Sequence, residues 1–197
     1  MDRREMLQLL ALSPLPALGL SPAAVDRAAR HARESLADVR QGTAYAPAFF
    51  TAVEWRTVLA LSDLIVPRDE RSGSATDAGV PEFIDFVMTE YPEHQVPVRG
   101  GLAWLERECR ERYGKGFADC VASEQTALLD AIAYPKQATP EMSQGVAFFN
   151  RFRDLVLSGF WSSKVGVEDL GYKGNTFVAE WKGCPPEVLA KLGLRET

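Results

Sequence analysis

The sequence predicts an all-α fold, a small multi-helix bundle followed by an irregular C-terminal tail rich in aromatics and glycine. Three observations carry this expectation. Apolar residues recur at three- and four-residue spacing in one segment after another, each bounded by a capping residue, Pro or Gly. No segment shows sustained alternation with β-branched residues, so no sheet is expected. From Ser162 onward the periodicity gives way to glycines, isolated aromatics and a Pro-Pro pair. A chain of 197 residues can bury one substantial core, and no internal repeat divides it.

Residues 1–23 form a segment distinct from the bundle. Arg3 and Arg4 stand together, Met6 and Leu7 open an apolar run that ends near Leu20, and Pro14 and Pro16 interrupt it. A bilayer span needs roughly 20 apolar residues, so this run is too short and too proline-broken to serve as one. Paired arginines ahead of a bulky apolar pair resemble a twin-arginine export signal, whose route carries folded cargo. Asp2 and Gln8 depart from the usual residues of that signal. Ala17-Leu18-Gly19 and Pro22-Ala23-Ala24 are the two candidate processing sites.

Residues 24–44 are expected to be a linker helix, because their apolar stripe is mostly alanine with Leu36 and Val39 and stops at Gly42. The helical domain then spans residues 45–197, including the tail. Thr51 and Glu54 form a capping box, followed by Val53, Val58, Leu61, Leu64 and Ile65 at helical spacing, with Pro67 as the stop. The polar loop behind Pro67 carries Asp69, Glu70, Ser72, Ser74 and Asp77. It resembles a calcium loop superficially but lacks the spacing and the closing Glu, so it is expected to be a connection between helices. Pro81 suits the first turn of the next helix, whose stripe is Phe83, Ile84, Val87, Met88 and Tyr91 before Pro92. A third helix near 98–113 presents Leu102, Leu105 and Cys109 and ends at Gly114. A fourth, near 123–134, presents Leu128, Leu129 and Ile132. A fifth starts at Thr139-Pro140 and turns Val146, Phe149, Phe152 and Val156 inward. The tail ends in a short helix from Pro186 to Leu192.

Composition narrows the function. Apolar residues at 46% and charged residues at 25% are ordinary for a globular domain. A net charge of -5 argues against a nucleic-acid partner. The chain has no GxGxxG, Walker A or HExxH motif, so no catalytic, cofactor or metal site is expected within it. His31 and His94 lie in polar contexts and are expected at the surface. An enzyme built from this chain alone would draw on scattered carboxylates such as Asp63 and Asp85, and nothing in their spacing forces them together. Cys109, Cys120 and Cys184 are three, with no CxxC pair. They read as buried free thiols, or, in an oxidising compartment, as one pair plus a thiol that bonds another chain. Trp161, Tyr172, Phe177 and Trp181 crowd the tail, where loops rarely bury so much ring area alone. Those rings either fold back on the bundle or anchor a partner.

The sequences DRREML, LALSDLIVPRDERSGSATDAGVPEFIDF, VGVEDLGYKGN and WKGCPPEVLAKLGL together resemble the gluconate 2-dehydrogenase subunit 3 family, from about residue 45 to the end plus the signal. Its most specific pieces here are residues 61–86, with Asp63, Pro67, Ala75, Gly79 and Val80, and the tail motifs DLGYKGN and GCPPEV. The resemblance implies an accessory subunit that is not itself an enzyme. It implies a large FAD-dependent partner of the glucose-methanol-choline type, and a multi-haem cytochrome c subunit as electron acceptor. The small subunit of this family stabilises the flavoprotein and brings it to the twin-arginine translocation machinery. The complex would then be periplasmic and membrane-associated. Arg3, Arg4, Met6 and Leu7 would serve the signal. Trp161, Tyr172, Asn175, Trp181, Cys184, Pro185 and Pro186 would form the partner surface. Cys184 would bond the large subunit, with Cys109 and Cys120 either paired or buried. The rival reading is a stand-alone periplasmic helical binding or chaperone protein.

Overall fold

Short polar side chains decide where the helices start. In the computed structural model, which describes residues 19–172, 179–180, 183–184, 186–191 and 193, Ser21 caps helix α1 (Pro22–Arg40) by accepting from the Ala24 amide at 3.2 Å. Helix α2 (Ala52–Ile65) begins with the expected capping box. The Glu54 amide donates to Thr51 Oγ1 at 3.3 Å, and the Thr51 amide donates to Glu54 Oε2 at 2.8 Å. Both bonds satisfy amides that the first turn of a helix leaves without partners. Helix α3 (Val80–Glu90) has Pro81 in its first turn, where the missing N–H costs nothing. Helices α4 (Gln95–Tyr113), α5 (Ala122–Ala133), α6 (Ser143–Ser162), α7 (Lys164–Leu170) and α8 (Pro186–Lys191) follow. Single 3-10 turns stand at Pro92–His94, Phe117–Asp119 and Pro140–Met142. The described residues contain no strand, and the architecture is the all-α bundle that the periodicity predicts.

Helix α6 is the axis of the bundle, packing against α1, α2, α3, α4, α5 and α7. Its buried stripe includes Phe148, Phe149, Phe152, Leu155, Val156 and Phe160. A fully buried side chain of this size contributes roughly 1.5–3 kcal/mol relative to an exposed one. The helix that carries four such rings therefore dominates the core. Close approach sets its contact with α4. A Cβ on Gly101 would lie 1.9 Å from Phe148 Cδ2, so only glycine allows the two helices to meet here.

Helix α1, expected as a linker, is seated in the bundle against α3 and α6. Ala24, Ala28, Ala29 and Ala32 are all buried. An alanine stripe looks weak by hydropathy, yet its small side chains let a helix approach its neighbours closely. Other expectations also need correcting. Val53 is half exposed, because the first turn of α2 stands clear of the core. His94 is buried, and His31 is half-buried and stacks on Phe86 with ring centroids 4.8 Å apart. Residues 164–170 are helical rather than irregular, and Trp161 belongs to α6. The short helix near the end is described as Pro186–Lys191, and Leu192 lies outside the described residues.

Candidate partner interface

The loop between α2 and α3 is held by carboxylates that accept from its own backbone. Asp63 on α2 accepts from the Thr76 amide at 2.8 Å and from Thr76 Oγ1 at 2.7 and 2.9 Å. Asp77 accepts from the Ser74 amide at 2.6 Å and pairs with Arg68 at 2.6 Å. Asp69 Oδ1 takes the amides of Arg71 and Ser72 at 2.8 and 2.9 Å. The Ala75 amide reaches back to the Val66 carbonyl at 2.9 Å, and Ala75 is fully buried. The carboxylates of Asp63, Asp69 and Asp77 are thus committed to shaping the loop. Backbone hydrogen bonds at nearly every turn make it a fixed feature of the surface.

Helix α7 is built onto the end of α6 by Ser163. Its hydroxyl donates to the Phe160 carbonyl at 2.7 Å and accepts from the Gly166 amide at 3.0 Å. A Cβ on Gly166 would fall 2.0 Å from the Phe160 oxygen, so the elbow between the helices requires glycine. Across this elbow, Arg71 of the loop donates to the Asp169 carbonyl oxygen at 2.7 Å and approaches Asp169 Oδ1 at 3.5 Å. Two segments separated by 98 residues therefore form one surface. The last turns of α1 complete it. Arg33, Leu36 and Arg40 line a shallow cleft of about 370 Å³ with Asp77, Lys164, Val165 and Glu168. Beside it, Leu170 and Tyr172 are exposed at 59% and 58%. Exposed apolar side chains next to mixed charge have the composition of a protein-docking patch with a polar rim.

The expected interface residues divide. Trp161 is half-buried, with its ring edge-on to Phe160 at 5.1 Å, so much of it is spent inside the bundle. Tyr172 is exposed beside α7, Cys184 is exposed, and Pro186 opens α8 at the surface. Asn175, Trp181 and Pro185 lie outside the described residues, as do the signal residues Arg3, Arg4, Met6 and Leu7.

Asp85, read from sequence as a scattered carboxylate, is a buried anchor. It accepts from Tyr45 Oη at 2.9 Å and from the amides of Ala48, Phe49 and Phe50 at 2.7, 3.0 and 3.3 Å. Burial, with the Asp85 charge beside it, raises the Tyr45 phenol well above its ordinary range. Glu82, one turn earlier, is buried with no partner for Oε2, and burial raises its carboxyl. Asp63 and Asp85 thus both serve backbone donors, which is a structural role.

With this geometry in place, comparison with known proteins is informative. The family model described as Gluconate 2-dehydrogenase subunit 3 matches residues 52–180. The chain belongs to this family. No curated protein and no solved structure matches it. The match begins at the first residue of α2 and runs past α7, so it spans both partners of the Arg71–Asp169 tie. The gluconate 2-dehydrogenase subunit 3 family is that of an accessory subunit of a dehydrogenase complex, and the chain's association with such a complex follows from membership.

Proposed function

We propose that the chain is the non-catalytic small subunit of a periplasmic, membrane-associated sugar or polyol dehydrogenase. In this reading it docks on an FAD-dependent large subunit of the glucose-methanol-choline type, stabilises it and supplies its twin-arginine signal through Arg3 and Arg4. A multi-haem cytochrome c takes the electrons. Flavin and haem c belong to those partners. The observation that best supports docking is the Arg71–Asp169 tie, which joins the loop to α7 and leaves Leu170 and Tyr172 facing solvent. The described residues contain no helix long and apolar enough to cross a membrane.

The test is co-purification from the native operon with a C-terminal tag, followed by a visible spectrum of the periplasmic and membrane fractions. The reading expects a yellow flavoprotein in the same fraction, sugar-dependent dye reduction, and loss of both from the periplasm when Arg3 and Arg4 become Lys. A colourless chain that purifies alone and stays monodisperse would instead identify a stand-alone binding protein.

A further inference from the structure

The turn that follows α4 folds back on that helix. Gly114, in the left-handed region at φ +71°, ends α4, and the chain returns through the 3-10 turn Phe117–Asp119 to Cys120. Three contacts hold this turn in place. Phe117 is fully buried, Gln125 Nε2 donates to the Phe117 carbonyl at 2.9 Å, and Arg56 on α2 pairs with Asp119 at 2.9 Å. The turn packs on α4, and Cys120 and Cys109 lie in the same buried cluster, near enough for each thiol to act on the other's ionisation. Cys109 is fully buried and Cys120 keeps 8% exposure, while Cys184 is exposed elsewhere. Of the three thiols, these two share one site.

We propose that Cys109 and Cys120 are a disulfide pair, closed by thiol–disulfide exchange once the chain meets an oxidising compartment. The compartment rests on the export reading above, whereas the pairing rests on the fold. The oxidant is an external disulfide, either glutathione disulfide or the disulfide form of a dithiol oxidase. Cys120, the thiol with an open side, loses its proton to water. Its thiolate attacks one sulfur of the oxidant and expels the other as a thiolate. Cys109 then attacks the Cys120 sulfur and displaces the second oxidant thiolate, which takes up the Cys109 proton. Two protein thiols are oxidised to one S–S bond, and one external disulfide is reduced to two thiols. The surroundings favour this order. Burial, with the Cys120 contact, pushes the Cys109 thiol up to about 12. Burial raises Cys120 as well, but the Cys109 contact and the Lys115 ammonium act against that. The bridge closes a short loop onto the end of α4 and cross-links the entry to α5.

The full chain is purified reduced, incubated with glutathione disulfide, denatured and alkylated, and its mass and peptides are read. The expected product yields a linked Cys109–Cys120 peptide that has lost two hydrogens, while the exposed Cys184 carries the alkyl group or glutathione. Its melting temperature lies roughly 6–10 °C above that of the reduced chain. Cys109→Ser should give a glutathione adduct at Cys120 and no bridge, and Cys184→Ser should leave the bridge intact. Three alkylated thiols after oxidation, or a stable Cys120 adduct in the unsubstituted chain, overturn the pairing. Oxidation in the test tube needs no export, so a chain that closes the bridge but stays in the cytoplasm refutes the address alone. A chain recovered from the periplasm with three free thiols refutes the pairing alone.

Discussion

At the scale of single residues, buried carboxylates govern this chain's stability. Asp85 gathers a phenol and three amides from the segment ahead of α2, and it is almost wholly buried. Removing the acceptor leaves those donors without a partner away from water, which costs more than the bonds themselves contributed. Asp85→Ala should therefore destabilise the chain by about 3 kcal/mol, seen in thermal melts as a drop of roughly 6–12 °C. Glu82 behaves in the opposite sense. Its native carboxyl titrates above the ordinary 4.5, because burial outweighs a backbone hydrogen bond that pulls the other way and the Asp85 charge adds to the rise, and its Oε2 has no partner. A group whose folded value is raised holds its proton more tightly in the folded state. Its contribution is complete below 4.5 and is lost as pH rises through the folded value. Glu82→Gln should accordingly be more stable than the parent at neutral pH, with the difference fading toward about pH 4 in urea titrations. Neither role was legible in the sequence. The partners of Asp85 are backbone amides, which carry no residue signature. His94 looked polar among Glu93 and Gln95, but the fold buries it and brings Arg151 to its Nδ1 at 3.5 Å. Burial, then the Arg151 charge, lowers its pKa against the pull of Glu93.

At the scale of elements, neighbouring glycines on α4 should respond in opposite ways. Gly101 faces Phe148, and a methyl there must push α6 away, whereas a Cβ on Gly100 meets nothing within 4 Å. Gly101→Ala should destabilise by about 1–3 kcal/mol. Gly100→Ala should stabilise by roughly 0.5–1 kcal/mol through helix propensity alone. Urea midpoints of the two variants decide it. Most elements were legible because periodicity and caps agree, as with Thr51, Glu54 and the stripe from Val58 to Ile65. Helix α7 was not, because Lys164–Leu170 is only two turns long, and glycines stand inside it and just beyond it. Its start depends on Ser163 gripping the Phe160 carbonyl, a contact that exists only once α6 has formed. The alanine face of α1 was misjudged for a related reason, since hydropathy records how apolar a side chain is and ignores how closely it lets two helices approach.

At the scale of the whole molecule, the docking patch should be separable from the fold. Leu170 and Tyr172 are exposed and outside the core, so Leu170→Asp combined with Tyr172→Ala should leave the melting temperature within about 1 °C of the parent. The same change should strip the proposed flavoprotein partner from the tagged chain in pull-downs, and its retention would place the interface elsewhere. The sequence marked both halves of this surface as distinctive, but it could not show that they touch, because Arg71 and Asp169 are 98 residues apart. The central position of α6 also bears on timing. Translation runs at about 5–20 residues per second, so the start of α1 is made roughly 7–28 s before α6 is complete, and α5 only a few seconds before it. During that interval the faces of α1 to α5 that rest on α6 have nothing to cover them, and the nascent chain needs shielding from aggregation. Under the export reading proposed above, a route that accepts only folded passengers makes the Arg3–Arg4 pair wait for α6. Departure is then set by the completion of α6, whichever moment the signal itself becomes readable.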